Sequence, residues 1–111
     1  MTTRWLVDGT NVVGSRPDGW WRDRPAAFRR LVDALARFDE PWTVVFDGRP
    51  AFEADGVEWA RVADDRIAEL AAADEDPASL TVVTSDRGLV DRVRPHGVST
   101  EGSRTFRERL S

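Results

Sequence analysis

Three short apolar runs in this chain break off at or next to an aspartate, and that repetition constrains the fold more than any other feature. Arg4-Trp5-Leu6-Val7 ends at Asp8-Gly9, Trp42-Thr43-Val44-Val45-Phe46 at Asp47-Gly48, and Leu80-Thr81-Val82-Val83-Thr84 at Ser85-Asp86. The runs are nearly continuous in apolar residues, which is the pattern of strands buried on both faces. Amphipathic segments separate them. Pro25 suits a first helical turn, and Phe28, Leu31, Val32, Leu35 and Phe38 then share one face. That helix should stop near Glu40, before Pro41. Asp64 to Ala73, with Ile67, Leu70 and Ala71 on one side, predicts a second helix; Asp86 to Val93, with Leu89, Val90 and Val93, predicts a third. Val57-Glu58-Trp59-Ala60 suits a short edge strand, and Gly97-Val98-Ser99 begins a last one. Val12 to Arg24 reads as a loop, and a polar tail follows from Glu101. The order is that of an α/β chain: a three-layer sandwich with a mainly parallel sheet covered on both faces.

With 111 residues and 12.5 kDa, the chain is expected to form one domain, residues 1–111, around one modest core. No apolar run approaches the roughly 18 residues of a membrane span, and no basic-then-apolar leader opens the sequence. A cytoplasmic protein without a membrane partner is expected. There is no cysteine, which excludes disulfides and thiolate metal sites. The single histidine, His96, excludes a multi-histidine zinc site and argues against a Ser-His-Asp triad. Any metal must be held by oxygen, which points to Mg²⁺ or Mn²⁺. The net charge of −4 argues against tight sequence-blind DNA binding. All sixteen basic residues are arginine. Arginine suits bidentate phosphate contacts, although a GC-rich codon bias accounts for its use here first.

Ligands of open parallel sheets bind beyond the carboxyl ends of the strands. Parallel strands would bring Asp8, Asp47 and Asp86 to one such edge. Asp64 and Asp65, opening the second helix, should reach it too, and Asp91, five residues after Asp86, comes near it with poorer alignment. Clustered carboxylates repel and raise one another's pKa unless a cation compensates, and Mg²⁺ or Mn²⁺ is the simplest compensation. Such ions activate water and stabilise the departing oxygen in phosphodiester cleavage. Taken singly, each aspartate has an ordinary role as turn former or helix cap, Asp64 and Asp86 especially. Three together, each at the end of a buried strand, favour the metal.

Asp8-Gly9-Thr10 after an apolar strand also suggests haloacid-dehalogenase-type phosphotransferases. Those need an aspartate two positions earlier, where Leu6 stands, and a later lysine, which is absent. The missing lysine removes a receiver domain as well. Leu6-Val7-Asp8-Gly9-Thr10-Asn11-Val12-Val13 instead resembles the Asp-Gly-x-Asn-hydrophobic opening of the NYN domain, in the PIN-like nuclease superfamily, with the YacP-like branch nearest. Val45-Phe46-Asp47, Ala63-Asp64-Asp65-Arg66-Ile67 and Val82-Val83-Thr84-Ser85-Asp86 resemble later segments in register, as do Gly97, Ser103 and Phe106. The resemblance covers nearly the whole chain. It implies a PIN-like, Rossmann-like fold and a Mg²⁺- or Mn²⁺-dependent endoribonuclease. Asp8, Asp64 and Asp86 are then implied metal ligands and Asn11 the group that orients water or phosphate. Asp47 would be a further ligand or stand behind one, with Asp65 and Asp91 as additional candidates and Ser85 and Arg87 as phosphate contacts. The stretch between the second strand and Asp64 is short, which trims the platform on which a substrate would rest.

Five tryptophans stand out. Trp5 and Trp42 lie in strands and belong to the core, and Trp59 to the core or an edge. Trp20-Trp21, followed by Arg22 and Arg24, sits on a loop just after Asn11. There Trp20 and Arg22 would either stack an unpaired base or fold back as a lid over the core. Arg104, Arg107 and Arg109 in the tail would grip phosphate or form a solvated face. RNA is the expected partner, DNA is not excluded, and a homodimer or larger RNA-processing complex stays open. The alternative to an enzyme is a catalytically weak RNA-binding or protein-interaction module that retains the fold.

Overall fold

The computed structural model describes residues 2–111. Five parallel strands form one sheet: β1 (Arg4–Asp8), β2 (Trp42–Asp47), β3 (Val57–Ala60), β4 (Leu80–Val83) and β5 (Ser99–Glu101). Their order is β3-β2-β1-β4-β5, so the most buried strand, β1, is central and the direction of winding reverses beside it. Helices α1 (Gly9–Val13), α2 (Arg24–Leu35), α3 (Ala63–Ala73), α4 (Arg87–Val93) and α5 (Ser103–Leu110) cover the sheet. The expected single α/β domain is thus present, and its sheet is wholly parallel.

Successive side chains in a strand point to opposite faces, and the two faces have separate cores. On one face Trp5, Val7, Val44, Phe46 and Val83 meet α1, α2 and α5 through Val12, Phe28, Leu31, Leu35 and Phe106. On the other, Leu6, Val45 and Val82 meet α3 and α4 through Ile67, Ala71, Leu89 and Val93. Aromatic rings carry much of the first core: Phe28 and Phe46 stack at 4.4 Å between centroids, and Trp59 lies 5.1 Å from Phe46.

Three expectations differ from the structure. Val12 and Val13 are not loop: they end α1, a single helical turn that leaves β1 directly, and both are buried. Gly9 makes that exit possible, since a Cβ there would stand 2.5 Å from the Phe46 ring. Further along, Trp20–Arg22 forms a 3₁₀ turn. The polar tail is also helical. α5 turns Ser103 and Phe106 inward, both with no exposed surface, and Leu110 packs behind them. Helix α2 stops at Leu35, five residues short of Glu40, and Phe38 still packs on the core as the chain turns toward β2. No helix among the described residues is long and apolar enough to cross a membrane.

Candidate active site

The carboxyl edge of the sheet carries the aspartates. Asp8 ends β1 and Asp47 ends β2, its neighbour. Asp64 lies in the first turn of α3, and Asp86 is the N-cap of α4 just after β4. These four line one open cleft of about 400 Å³ together with Thr10, Asn11 and Trp20. It sits where β1 and β4 diverge, the switch point at which open α/β sheets bind ligands.

Each strand-end carboxylate is anchored through one oxygen. Asp8 Oδ2 accepts from Thr84 Oγ1 at 2.8 Å, and that hydroxyl oxygen accepts in turn from the Asp86 amide at 3.1 Å. Asp47 Oδ1 accepts from the Ala63 amide at 2.8 Å, while the Asp47 amide donates to Thr10 Oγ1. Asp86 Oδ1 caps α4 by accepting from Leu89 N at 3.1 Å. The Asp64 carboxylate accepts no side-chain hydrogen bond among the described residues. One oxygen each on Asp47 and Asp86, and both on Asp64, are therefore not taken up by side-chain bonds of the fold.

The electrostatics are strained accordingly. Asp8 is only 3% exposed, and its pKa is pushed up to about 6, first by burial and then by the charges of Asp64 and Asp47. The Thr84 hydroxyl and the Asn11 backbone N–H work in the opposite direction. Burial also raises Asp64, followed by the negative charges of Asp86 and Asp47. Helix α3 offsets a little of this, because a helix N-terminus favours negative charge.

Asn11 holds three elements together. Its Oδ1 accepts from Ser103 Oγ at 2.6 Å and from the Ser85 amide at 2.9 Å. Both lone pairs are committed, so only the amide NH₂ is left to act on a ligand, and it can only donate. Ser85 Oγ accepts from Ser103 N at 2.9 Å and so joins the same brace between α1, the β4–α4 turn and α5. Thr10, Thr84 and Ser103 were not singled out from the sequence as site residues. Their signal lay in their positions beside Asp8, Asp86 and the late Ser-x-x-Phe, without any indication of a role.

The remaining candidates divide. Asp65 is drawn away to Arg92, 2.9 Å distant, and does not line the cleft. Asp91 is exposed on α4 and does not line it either. Arg87 is exposed beside Asp86. Trp20 lines the cleft and packs on the core at once, and the Arg24 guanidinium lies 5.3 Å from its ring centre. Trp21 is 54% exposed, with Arg22 5.9 Å from its ring. Of the tail arginines, Arg107 donates to the Val12 and Val13 carbonyls at the end of α1, and Arg109 pairs with Glu101. Arg104 is exposed.

Among the described residues no three His, Cys, Asp or Glu side chains stand close enough together to hold a metal ion between them. The donor chemistry still fits a hard divalent cation: the available atoms are carboxylate oxygens, no arginine lines the cleft, and Arg92 offsets the repulsion at Asp64 only in part. Mg²⁺ typically keeps several waters and takes one or two carboxylates plus substrate phosphates, not an all-protein cage. An open array suits that habit.

No family model and no curated protein matches the sequence. Solved structures do match. The chain is similar to Rae1 (YacP) from Bacillus subtilis in the crystal structure of a point mutant, with a TM-score of 0.82 and 25% identity over 98% of this chain and 75% of that one. Against another crystal structure of the same protein the TM-score is 0.78, with 23% identity over 99% and 74%. The fold is therefore the YacP-like, NYN/PIN-like one that the resemblance implied.

Proposed function

We propose that this chain is a Mg²⁺- or Mn²⁺-dependent endoribonuclease that hydrolyses RNA phosphodiester bonds at the carboxylate cleft. The observation that supports this most is the convergence of Asp8, Asp47, Asp64 and Asp86 on one cleft, with carboxylate oxygens that the fold does not use. Four negative charges destabilise the protein that carries them, and a cluster of this kind makes physical sense where a cation offsets it. Asp8, Asp64 and Asp86 would hold the ion, with Asp47 alongside. When bound, Mg²⁺ or Mn²⁺ supplies positive charge and the Lewis acidity that phosphodiester hydrolysis draws on. The protein's own part is orientation. Thr84 fixes Asp8 and, through the Asp86 amide, couples its position to the start of α4. The Asn11 NH₂, left as a donor, suits a phosphate oxygen or a water. The fold's likeness to Rae1 (YacP) adds support for RNA as the substrate class.

The test is Mn²⁺-dependent cleavage of end-labelled single-stranded RNA by the native protein, by Asp8→Asn and by Asp86→Asn. Asparagine keeps the acceptor that Thr84 and Leu89 need, so both variants should fold. Loss of a ligand should lower the rate roughly hundredfold or more, at least as much as loss of an outer partner does. If folded native protein cuts none of several RNAs and Mn²⁺ does not raise its melting temperature, the enzyme reading fails. A catalytically weak RNA-binding or protein-interaction module would take its place.

A further inference from the structure

The carboxylate cleft does not stand alone on its edge of the sheet. On the β2–β3 side it shares Asp47 with a second open pocket of about 410 Å³, whose apolar wall is Pro25, Phe28 and Trp59 and whose rim is Arg24, Arg49 and Arg61. On the β4–β5 side it shares Asn11 and Gly14 with a third, of about 420 Å³, lined by Ser85, Thr105 and Arg104. The three pockets form one track across the strand ends, about 19 Å from β3 to β5 at ordinary strand spacing. Basic ends thus flank an acidic middle.

Three arginines converge on the second pocket. Six ion pairs occur among the described residues, and none involves Arg24, Arg49 or Arg61. The Arg24 guanidinium lies over the Phe28 ring, 5.6 Å from its centre, at the edge of the aromatic wall. Gly48, at φ +113°, turns the chain directly after Asp47 and so sets Arg49 on the rim. Unpaired guanidinium groups around an aromatic wall are complementary to one kind of group: a planar base joined to a phosphate. A base inside a duplex is stacked and cannot enter such a pocket, whereas an unpaired one can.

We propose that the Arg24–Arg49–Arg61 pocket is the seat of an unpaired nucleotide next to the phosphate held at the carboxylates, so that one RNA single strand runs along the track from there toward Arg104. The inference rests on the nuclease reading for the identity of the middle site, and its own content is where the strand lies and that it is unpaired. Arg49 and Arg61 take its phosphates, and the half-buried Trp59 with the exposed Pro25 takes the base.

Binding without cleavage tests this separately from catalysis. The parent is the Asp8→Asn/Asp86→Asn protein in EDTA, and the probe is a fluorescein-labelled ten-nucleotide single-stranded RNA followed by anisotropy. Adding Arg49→Ala and Arg61→Ala should reduce the slope of log K against log salt by about 1.4 and weaken binding by about 25-fold at 0.1 M salt. Arg37→Ala, which follows α2 at the opposite edge of the sheet, is the control for net charge and should leave the slope within a few tenths. A hairpin duplex of equal length should bind more weakly than the single strand to the parent and be indifferent to the pair of substitutions. The proposal is overturned if the Arg49/Arg61 variant binds like the parent, if Arg37→Ala weakens binding equally, or if the duplex competes equally. Should the arginine pattern hold while native protein shows no metal-dependent cleavage, the nuclease reading falls and the strand path stands.

Discussion

Replacing Asp8 by asparagine should make the metal-free protein more stable, although it removes a residue central to the site. The carboxyl of Asp8 is buried, and its pKa stands at about 6 against the ordinary 3.8. A folded-state pKa raised in this way favours the protonated acid. Its stabilising contribution is complete below pH 3.8, declines as pH rises from there to about 6, and is gone above. The difference of about two pKa units corresponds to about 3 kcal/mol at neutral pH. Asp8→Asn removes the charge while its side-chain oxygen still accepts from Thr84 Oγ1, and its NH₂ faces the negative field of Asp64 and Asp47. At pH 7.5 in EDTA the variant should therefore exceed the native protein by up to about 3 kcal/mol in urea unfolding, or about 10 °C in melting temperature. The gap should close as pH falls to 4. Saturating Mn²⁺ should raise the native melting point and leave the variant nearly unmoved. A variant less stable than native protein at pH 7.5, or a gap that does not change with pH, would refute the account of Asp8 as a strained buried charge.

Three further outcomes are expected. Gly9→Ala places a Cβ 2.5 Å from the Phe46 ring and 2.7 Å from Val44 Cγ2. Both neighbours are locked in the core, so it should cost about 3 kcal/mol on denaturant unfolding. Phe106→Ala should cost about 3–5 kcal/mol, because its ring is fully buried against Trp5 and Phe38 at centroid distances of 5.2 and 5.6 Å; a loss under about 1 kcal/mol would mean that α5 is not part of the core. Ser103→Ala removes one donor to Asn11 and should destabilise by about 1–2 kcal/mol. If Asn11 positions substrate, cleavage by that variant should fall further than its melting temperature predicts, and rescue by Ser103→Thr should be partial.

Strands β1, β2 and β4 were legible because each is an uninterrupted apolar run with an abrupt polar end, and the arrangement of Asp8, Asp47, Asp64 and Asp86 followed once those strands were parallel. The failures have one physical cause. Short helices that depend on polar anchoring leave little apolar periodicity to read. α1 is too short to show a helical stripe, and it is held by Arg107 at its carbonyl end, 94 and 95 residues away in sequence. α5 buries a serine as one of its few inward positions, and that serine is inward because Asn11 needs a donor. Asp65 and Asp91 show a further limit: spacing put them near the edge, but side-chain direction decided the matter, with Asp65 turned to Arg92. Thr84 was visible as a residue and invisible as a hinge between two carboxylates.

The brace at Asn11 also fixes when the cleft can come into being. Asp8 is held by a residue 76 positions later, and Asn11 by one 92 positions later. Contacts that far apart in sequence form only after the intervening loop has closed. As the chain leaves the ribosome, β1 and β2 can pair early, yet Asp8 and Asn11 hang unsupported until β4, and then α5, have been made. The acidic cleft is therefore assembled only once residue 103 has been made, and a polypeptide halted before it has the carboxylates without their geometry.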